Sequence, residues 1–136
     1  MSERREDNYL SCRLYEGHSR TEAYPDFSAF EHEGEYYFAM LDDDGSVIFR
    51  SEGYQTESAR NNGIESVMRN RELEERYSIE EKLGHYFTVL KAGNHQEIAR
   101  SCAKGDEAGA SALFPAARAA AAEARRLAAL APAAPV

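Results

Sequence analysis

The chain repeats itself at an offset of about fifty residues. Tyr37-Phe38-Ala39-Met40-Leu41 returns as Tyr86-Phe87-Thr88-Val89-Leu90, and Ile48-Phe49-Arg50-Ser51 returns as Ile98-Ala99-Arg100-Ser101. Upstream, Phe30 maps onto Ile79 and Glu31 onto Glu80. A unit this short cannot bury a sheet face unaided, so the two copies must share a core. Duplication constrains the architecture; it leaves the chemistry open.

At 136 residues the chain has room for one modest core, and eight Tyr and six Phe within a 43% hydrophobic composition supply it. The net charge of −8 opposes nonspecific contact with nucleic acid, and the three Lys form no basic run interleaved with aromatics. Nucleic acid is therefore not an expected partner. The first seven residues are charged with no apolar run behind them, unlike a signal peptide, and no stretch approaches the about 20 apolar residues of a membrane span. Cys12 and Cys102 belong to no CxxC pair. They read as two ordinary thiols of a reduced cytoplasmic protein, with a disulfide between them left open.

Periodicity divides the chain into four parts: an irregular segment 1–26, a first unit with its connector at 27–76, a second unit at 77–114, and an Ala-rich helix and tail at 115–136. Residues 1–8 read as a frayed tail, and Tyr9–Leu14 as a short strand in otherwise irregular chain. In the first unit, 27–33 leads to Gly34, 36–41 alternates with apolar residues on both faces, and 46–51 returns through the Asp42-Asp43-Asp44-Gly45 turn. Thr56 then caps a helix in which Ile64, Val67 and Met68 form one stripe toward the sheet. Gly63, costly inside a helix, predicts a close approach of helix to sheet. Residues 69–76 read as a charged connector.

The second unit runs 77–82, a turn at Leu83-Gly84, 85–90, a turn at Ala92-Gly93-Asn94, and 96–101, followed by a helix from Asp106 that Pro115 should kink or restart. Beyond it, Ala116, Ala120, Ala124, Leu127 and Ala131 share a face of small side chains that can pack on a partner, with Arg118 and Arg125 pointing away. The expected fold is α+β: two tandem βββα repeats forming one antiparallel sheet with helices packed on one face, plus the Ala-rich C-terminal helix.

The string Tyr36-Tyr37-Phe38, Asp44-Gly45, Val47-Ile48, Ser51-Glu52-Gly53-Tyr54 and Asn62-Gly63-Ile64-Glu65-Ser66-Val67 resembles the YegP-like family of small bacterial tandem-repeat proteins, a domain of unknown function. The likeness covers roughly residues 34–70 and again 84–101, then departs where this chain has Cys102, Lys104, Ala112-Leu113-Phe114 and Pro115. It implies two βββα units in one antiparallel sheet, with a second helix shifted or broken. Relatives with a single unit resemble dimers that build the same sheet from two chains. The resemblance implies no reaction.

Candidate chemistry is sparse. His18, His32, His85 and His95 offer no repeated ligand set; Glu31 and Glu33 share a strand face from which His32 points away, so no metal or cofactor is expected. Asp42-Asp43-Asp44-Gly45 lacks the alternation of a calcium loop, and Ser51 stands where its Glu should be. There is no GxSxG elbow, P-loop or GxGxxG. Arg50, Glu52 and Tyr54 at the strand-to-helix junction, with Asn61 and Asn62 one turn into the helix and Arg100 repeating Arg50, form the most suggestive polar cluster, either a small site for a peptide or anion or a structural junction.

The expected function is a non-catalytic cytoplasmic binding or protein-interaction module. Its contacts, with another protein or with itself, would use the sheet face or edge or the C-terminal helix. The alternative is an enzyme whose site is built from Cys12, Glu16 and His18 of the non-repeated segment.

Overall fold

The computed structural model describes residues 11–130. A six-stranded antiparallel sheet forms its centre, in the order β1-β2-β3-β6-β5-β4. The strands are β1 (Phe27–His32), β2 (Glu35–Leu41), β3 (Val47–Arg50), β4 (Tyr77–Lys82), β5 (His85–Lys91) and β6 (Glu97–Arg100). Helix α1 (Glu57–Asn70) follows β3; α2 (Glu107–Ser111) and α3 (Leu113–Leu130) follow β6. The two hairpin sets meet at the β3–β6 seam, where Arg50 lies opposite Arg100.

Turn chemistry explains the hairpins. Glu33 and Gly34 both take positive φ (49° and 82°), as do Leu83 and Gly84 (55° and 77°), the two-residue geometry that matches strand twist. At the next turn the Asp42 carboxylate accepts from the amides of Asp44 and Ser46, both at 2.9 Å, and Gly45 supplies φ +84°. In the other half Asn94 accepts from the Gln96 amide and His95 takes the positive φ.

Strand bounds, tight turns and serine hydrogen bonds recur at a spacing of fifty residues, where the sequence reading set the first strands forty-nine apart. The Phe38 amide donates to Ser51 Oγ at 2.8 Å, and fifty residues on the Thr88 amide donates to Ser101 Oγ at 3.0 Å. Tyr37 therefore corresponds to Phe87, and Phe38 to Thr88. Side chains alternate along a strand, so a slip of one residue exchanges the faces. The similar aromatic pairs at forty-nine concealed this; the glycines of the two tight turns marked the true spacing.

One sheet face carries the main core: Phe27, Phe38, Met40, Phe49, Leu90 and Ala99 pack with Ile64 and Val67 of α1 and Leu113 and Ala117 of α3. Helix α1 touches β5 and β6 as well as β2, and α3 touches β3, so these two helices reach strands of the other half. Thr56 caps α1 by accepting from the Ala59 amide at 3.0 Å. Gly63 is where the helix presses on the sheet: a Cβ there would lie 2.4 Å from Tyr54 Oη and 3.0 Å from Phe38 Cε2.

Several expectations need correction. Met68 is 40% exposed, because Ile64 and Val67 already span the width of sheet that α1 covers. Helix α1 runs to Asn70, into the segment read as a charged connector, in which Glu74–Arg76 forms a 3-10 turn and Arg71 is buried against the Asp26 carboxylate and the Phe27 ring. Asp106 caps α2 through the Gly109 amide at 2.7 Å, and the helix breaks at Ala112 with Pro115 inside the first turn of α3. The buried stripe of α3 is Leu113, Ala117 and Ala121, because Leu113 inserts into the core and sets the rotation, and the small-residue face read from the sequence lies one position round, outside the core. Ala116 and Leu127 are exposed and Ala120 and Ala124 half-buried, while Ala131 lies outside the described residues. The expected tail at 1–8 and the start of the Tyr9–Leu14 strand also fall outside them; Arg13–Tyr15 is a 3-10 turn rather than strand.

Candidate functional site

The second sheet face is smaller and more polar. Ala39 and Leu41 pack there with Tyr15, flanked by Leu14, Phe30, Tyr37 and Val47. Tyr15 meets Phe30 and Tyr37 edge-on at 5.7 and 5.8 Å, and the His18 ring stacks on Phe30 at 3.8 Å. The Tyr15 hydroxyl donates to the Ser51 carbonyl at 2.5 Å, and burial raises its pKa well above the usual tyrosine value, with Arg50 opposing.

Arg50 and Arg100 come together on this face. Like charges facing each other across two strands repel, and the surroundings answer that. Arg100 makes a two-pronged contact with Glu97 (2.7 and 2.6 Å) and a further one with Glu80 at 3.2 Å. Arg50, 3% exposed, donates to the Ser101 and Ser11 carbonyls, each at 3.2 Å. Both guanidiniums lie over the Phe87 ring, 5.8 and 5.5 Å from its centre. Burial lowers the pKa of both arginines, with Tyr15 and Glu97 opposing at Arg50, yet arginine stays charged at any physiological pH.

Of the other four residues of the predicted cluster, Glu52 acts electrostatically on Tyr15 and Glu97 beside this pair, while Tyr54 and Asn61 make their contacts elsewhere. Tyr54 is on the helix side, stacked on Phe38 at 6.2 Å and bridged to Tyr36 by two backbone hydrogen bonds of 2.8 Å. Burial raises its pKa, with Glu52 adding to the rise. Asn61 accepts from the Arg60 guanidinium at 3.2 and 3.3 Å. Glu52 and Asn62 are exposed.

Cys12 and Cys102 are joined in a disulfide across 90 residues, their Cα atoms 5.7 Å apart, which corrects the expectation of two ordinary thiols. Two cysteines without a local motif gave no sign of it, since only the fold brings residue 12 beneath the end of β6. The bond also commits one member of the proposed catalytic trio: Cys12 is tied to Cys102, His18 bonds the Leu14 carbonyl at 2.9 Å, and Glu16 is exposed. Among the described residues no group of three His, Cys, Asp or Glu is placed to hold a metal ion.

A second surface takes in three residues of the small-residue face read from the sequence, Ala120, Ala124 and Leu127. Helix α3, the end of α1, the segment leading into β1 and the β2–β3 turn border a groove of about 680 Å³. Leu41, Met68, Ala120, Ala124 and Leu127 form its apolar lining, while Arg20, Asp26, Asp43, Arg71, Glu123 and Arg125 supply charge around it. The charges are largely mutually engaged: Arg71 with Asp26, Arg125 with Glu72, Glu123 with Arg126. Nothing in the sequence signalled that Met68 of α1 and Leu41 of β2 would join that face, because Met68 fits the expected α1 stripe and Leu41 a central strand.

Comparison with known proteins fits this architecture. Residues 32–77 match a domain of unknown function, DUF1508. A UPF0339 protein of Photorhabdus laumondii is 45% identical over 65 residues, which is 47% of this chain and 57% of that protein. A UPF0339 protein encoded in the ptx operon 5′ region of Stutzerimonas stutzeri is 38% identical over 76 residues, covering 55% of this chain and 68% of the relative. The chain thus spans less than two thirds of the first of these and slightly more of the second. The solution structure of a UPF0339 protein from Shewanella oneidensis superposes with a TM-score of 0.64 at 29% identity, over 70% of this chain and 82% of that one. The E. coli protein of unknown function YegP gives 0.61 at 27%, over 67% and 79%.

Proposed function

We propose that this chain, which belongs to the UPF0339 (YegP-like) family, is a non-catalytic cytoplasmic interaction module made of two tandem βββα repeats, and that it pairs with a second copy of itself through α3. Support for the repeats comes from the serine and turn hydrogen bonds that recur fifty residues apart and from the mirrored strand order about the β3–β6 seam.

The observation that carries the interaction reading is the apolar groove beside α3, together with Leu127 and Leu130 of that helix, 53% and 68% exposed. Groove and protruding leucines on one helix make a patch that can complement itself about a twofold axis. An antiparallel pair of α3 helices centred on Ala124 sets Ala120 against Ala128 of the second copy, so small side chains face each other and the two backbones can approach closely.

Sedimentation equilibrium tests this directly. The wild-type protein should show a concentration-dependent dimer up to roughly 0.1 mM, and Ala124→Arg should be monomeric with unchanged circular dichroism and melting. A wild-type protein that stays monomeric at that concentration removes the self-pairing. A cytoplasmic location also makes the Cys12–Cys102 bond conditional, because disulfides there are usually transient.

A further inference from the structure

We propose that Cys12–Cys102 is a thiol–disulfide exchange site for a dithiol reductant, and that the bond latches residues 11–18 as a flap over the second sheet face. The flap is fixed at two ends. At its C-terminal end the Thr21 amide donates to the Phe27 carbonyl at 2.9 Å and Arg20 bridges Ser28, which anchors the chain to the edge of β1. At its N-terminal end the disulfide hooks Cys12 to the residue pair after β6. Between hook and anchor, Gly17 takes φ +80° and divides the Tyr15 turn from the anchor.

What the flap covers is separable from the main core. Its own cluster is Tyr15 with Ala39 and Leu41, edged by Phe30 and Tyr37. The cluster of Phe27, Phe38, Met40, Ile64 and Leu90 on the other face takes no residue from 11–18. Opening is therefore a local event that leaves the helix side packed. Both cysteines are only half-buried, so a reductant has access. Cys102 also departs from the repeat: fifty residues earlier the same place holds Glu52, and its partner lies in a segment with no counterpart in the second half.

The exchange balances as two substitutions at sulfur. One thiolate of the dithiol attacks the protein disulfide, forming a mixed disulfide and releasing the other cysteine as a thiolate. The second thiol of the reductant then displaces the remaining cysteine. Two electrons pass to the protein, which ends with two thiols once protonated, and the reductant ends as a disulfide. With the hook gone, only non-covalent contacts hold the flap, namely Tyr15 with Leu14 in its cluster, the His18–Phe30 stack and the Arg50–Ser11 hydrogen bond, and opening uncovers Phe30, Tyr37 and the Arg50 environment.

Hydrogen exchange of the full chain, with and without dithiothreitol, reads this out, with thiols counted by alkylation in parallel. Reduction should expose two thiols and speed exchange across 11–18 by about tenfold or more, while amides of α1 and of Phe38 and Met40 keep their protection. The Cys12→Ser/Cys102→Ser protein should behave as the reduced form without any reductant. Two free thiols in protein prepared without reductant would overturn the site. Unchanged exchange at 11–18 would overturn the latch, and so would loss of protection throughout, which would make the bond a structural staple.

Discussion

Ser51 and Ser101 show how much a single side chain can set. Each accepts a buried strand amide, from Phe38 or Thr88, and each donates to the next carbonyl, Glu52 or Cys102, at 2.8 Å. Replacing either by Ala strands an amide in the sheet interior, so Ser51→Ala and Ser101→Ala should each lower stability by about 1–3 kcal/mol in urea titrations. The repeat of Arg-Ser was legible in the sequence, but its role was not, because a serine on a strand looks the same whether it faces water or an amide. Tyrosine burial has a pH consequence. Tyr15, Tyr54 and Tyr77 all have pKa values raised above 10, burial being the largest cause in each. Their folded forms keep the proton while the unfolded chain loses it. Stability contributed by these groups is complete below pH 10 and falls as pH climbs beyond it. Tyr15→Phe should flatten that alkaline decline by up to about 1.4 kcal/mol per pH unit, read from denaturation series at successive pH values.

At the scale of elements, Gly63 gives the sharpest test. In an exposed helix Gly→Ala stabilises by about 1 kcal/mol. Here the added methyl meets Tyr54 and Phe38, so Gly63→Ala should destabilise by about 1–3 kcal/mol, measured by chemical denaturation. A gain in stability would show that α1 stands off the sheet. This close approach was legible, since a glycine amid Asn61, Asn62 and Ile64 has no other use in a capped helix. The rotation of α3 was not. Its residues are nearly all alanine, which gives no apolar contrast to choose a face, and the choice fell to Leu113 beyond the helix restart. The Arg50–Arg100 pairing was half visible: both residues stood out, but only the β3–β6 seam brings them together and leaves Tyr54 and Asn61 on the other side.

For the whole molecule, the reach of α1 and α3 onto the strands of the other half is the decisive feature. α1 rests on β2, β5 and β6, and α3 on β3, so neither half keeps its apolar face covered if the other unfolds. The strand inventory and the shared sheet followed from periodicity and turn residues; the order about the seam did not, because no local signal says which strand of one half meets which of the other. The molecule should therefore unfold as one cooperative body. Residue-resolved hydrogen exchange through a denaturant series measures this most directly, following Phe38 and Met40 in one half against Thr88 and Leu90 in the other. The prediction is a single opening free energy shared by both sets of strand amides; two separate values, with one half exchanging while the other stays protected, would contradict it.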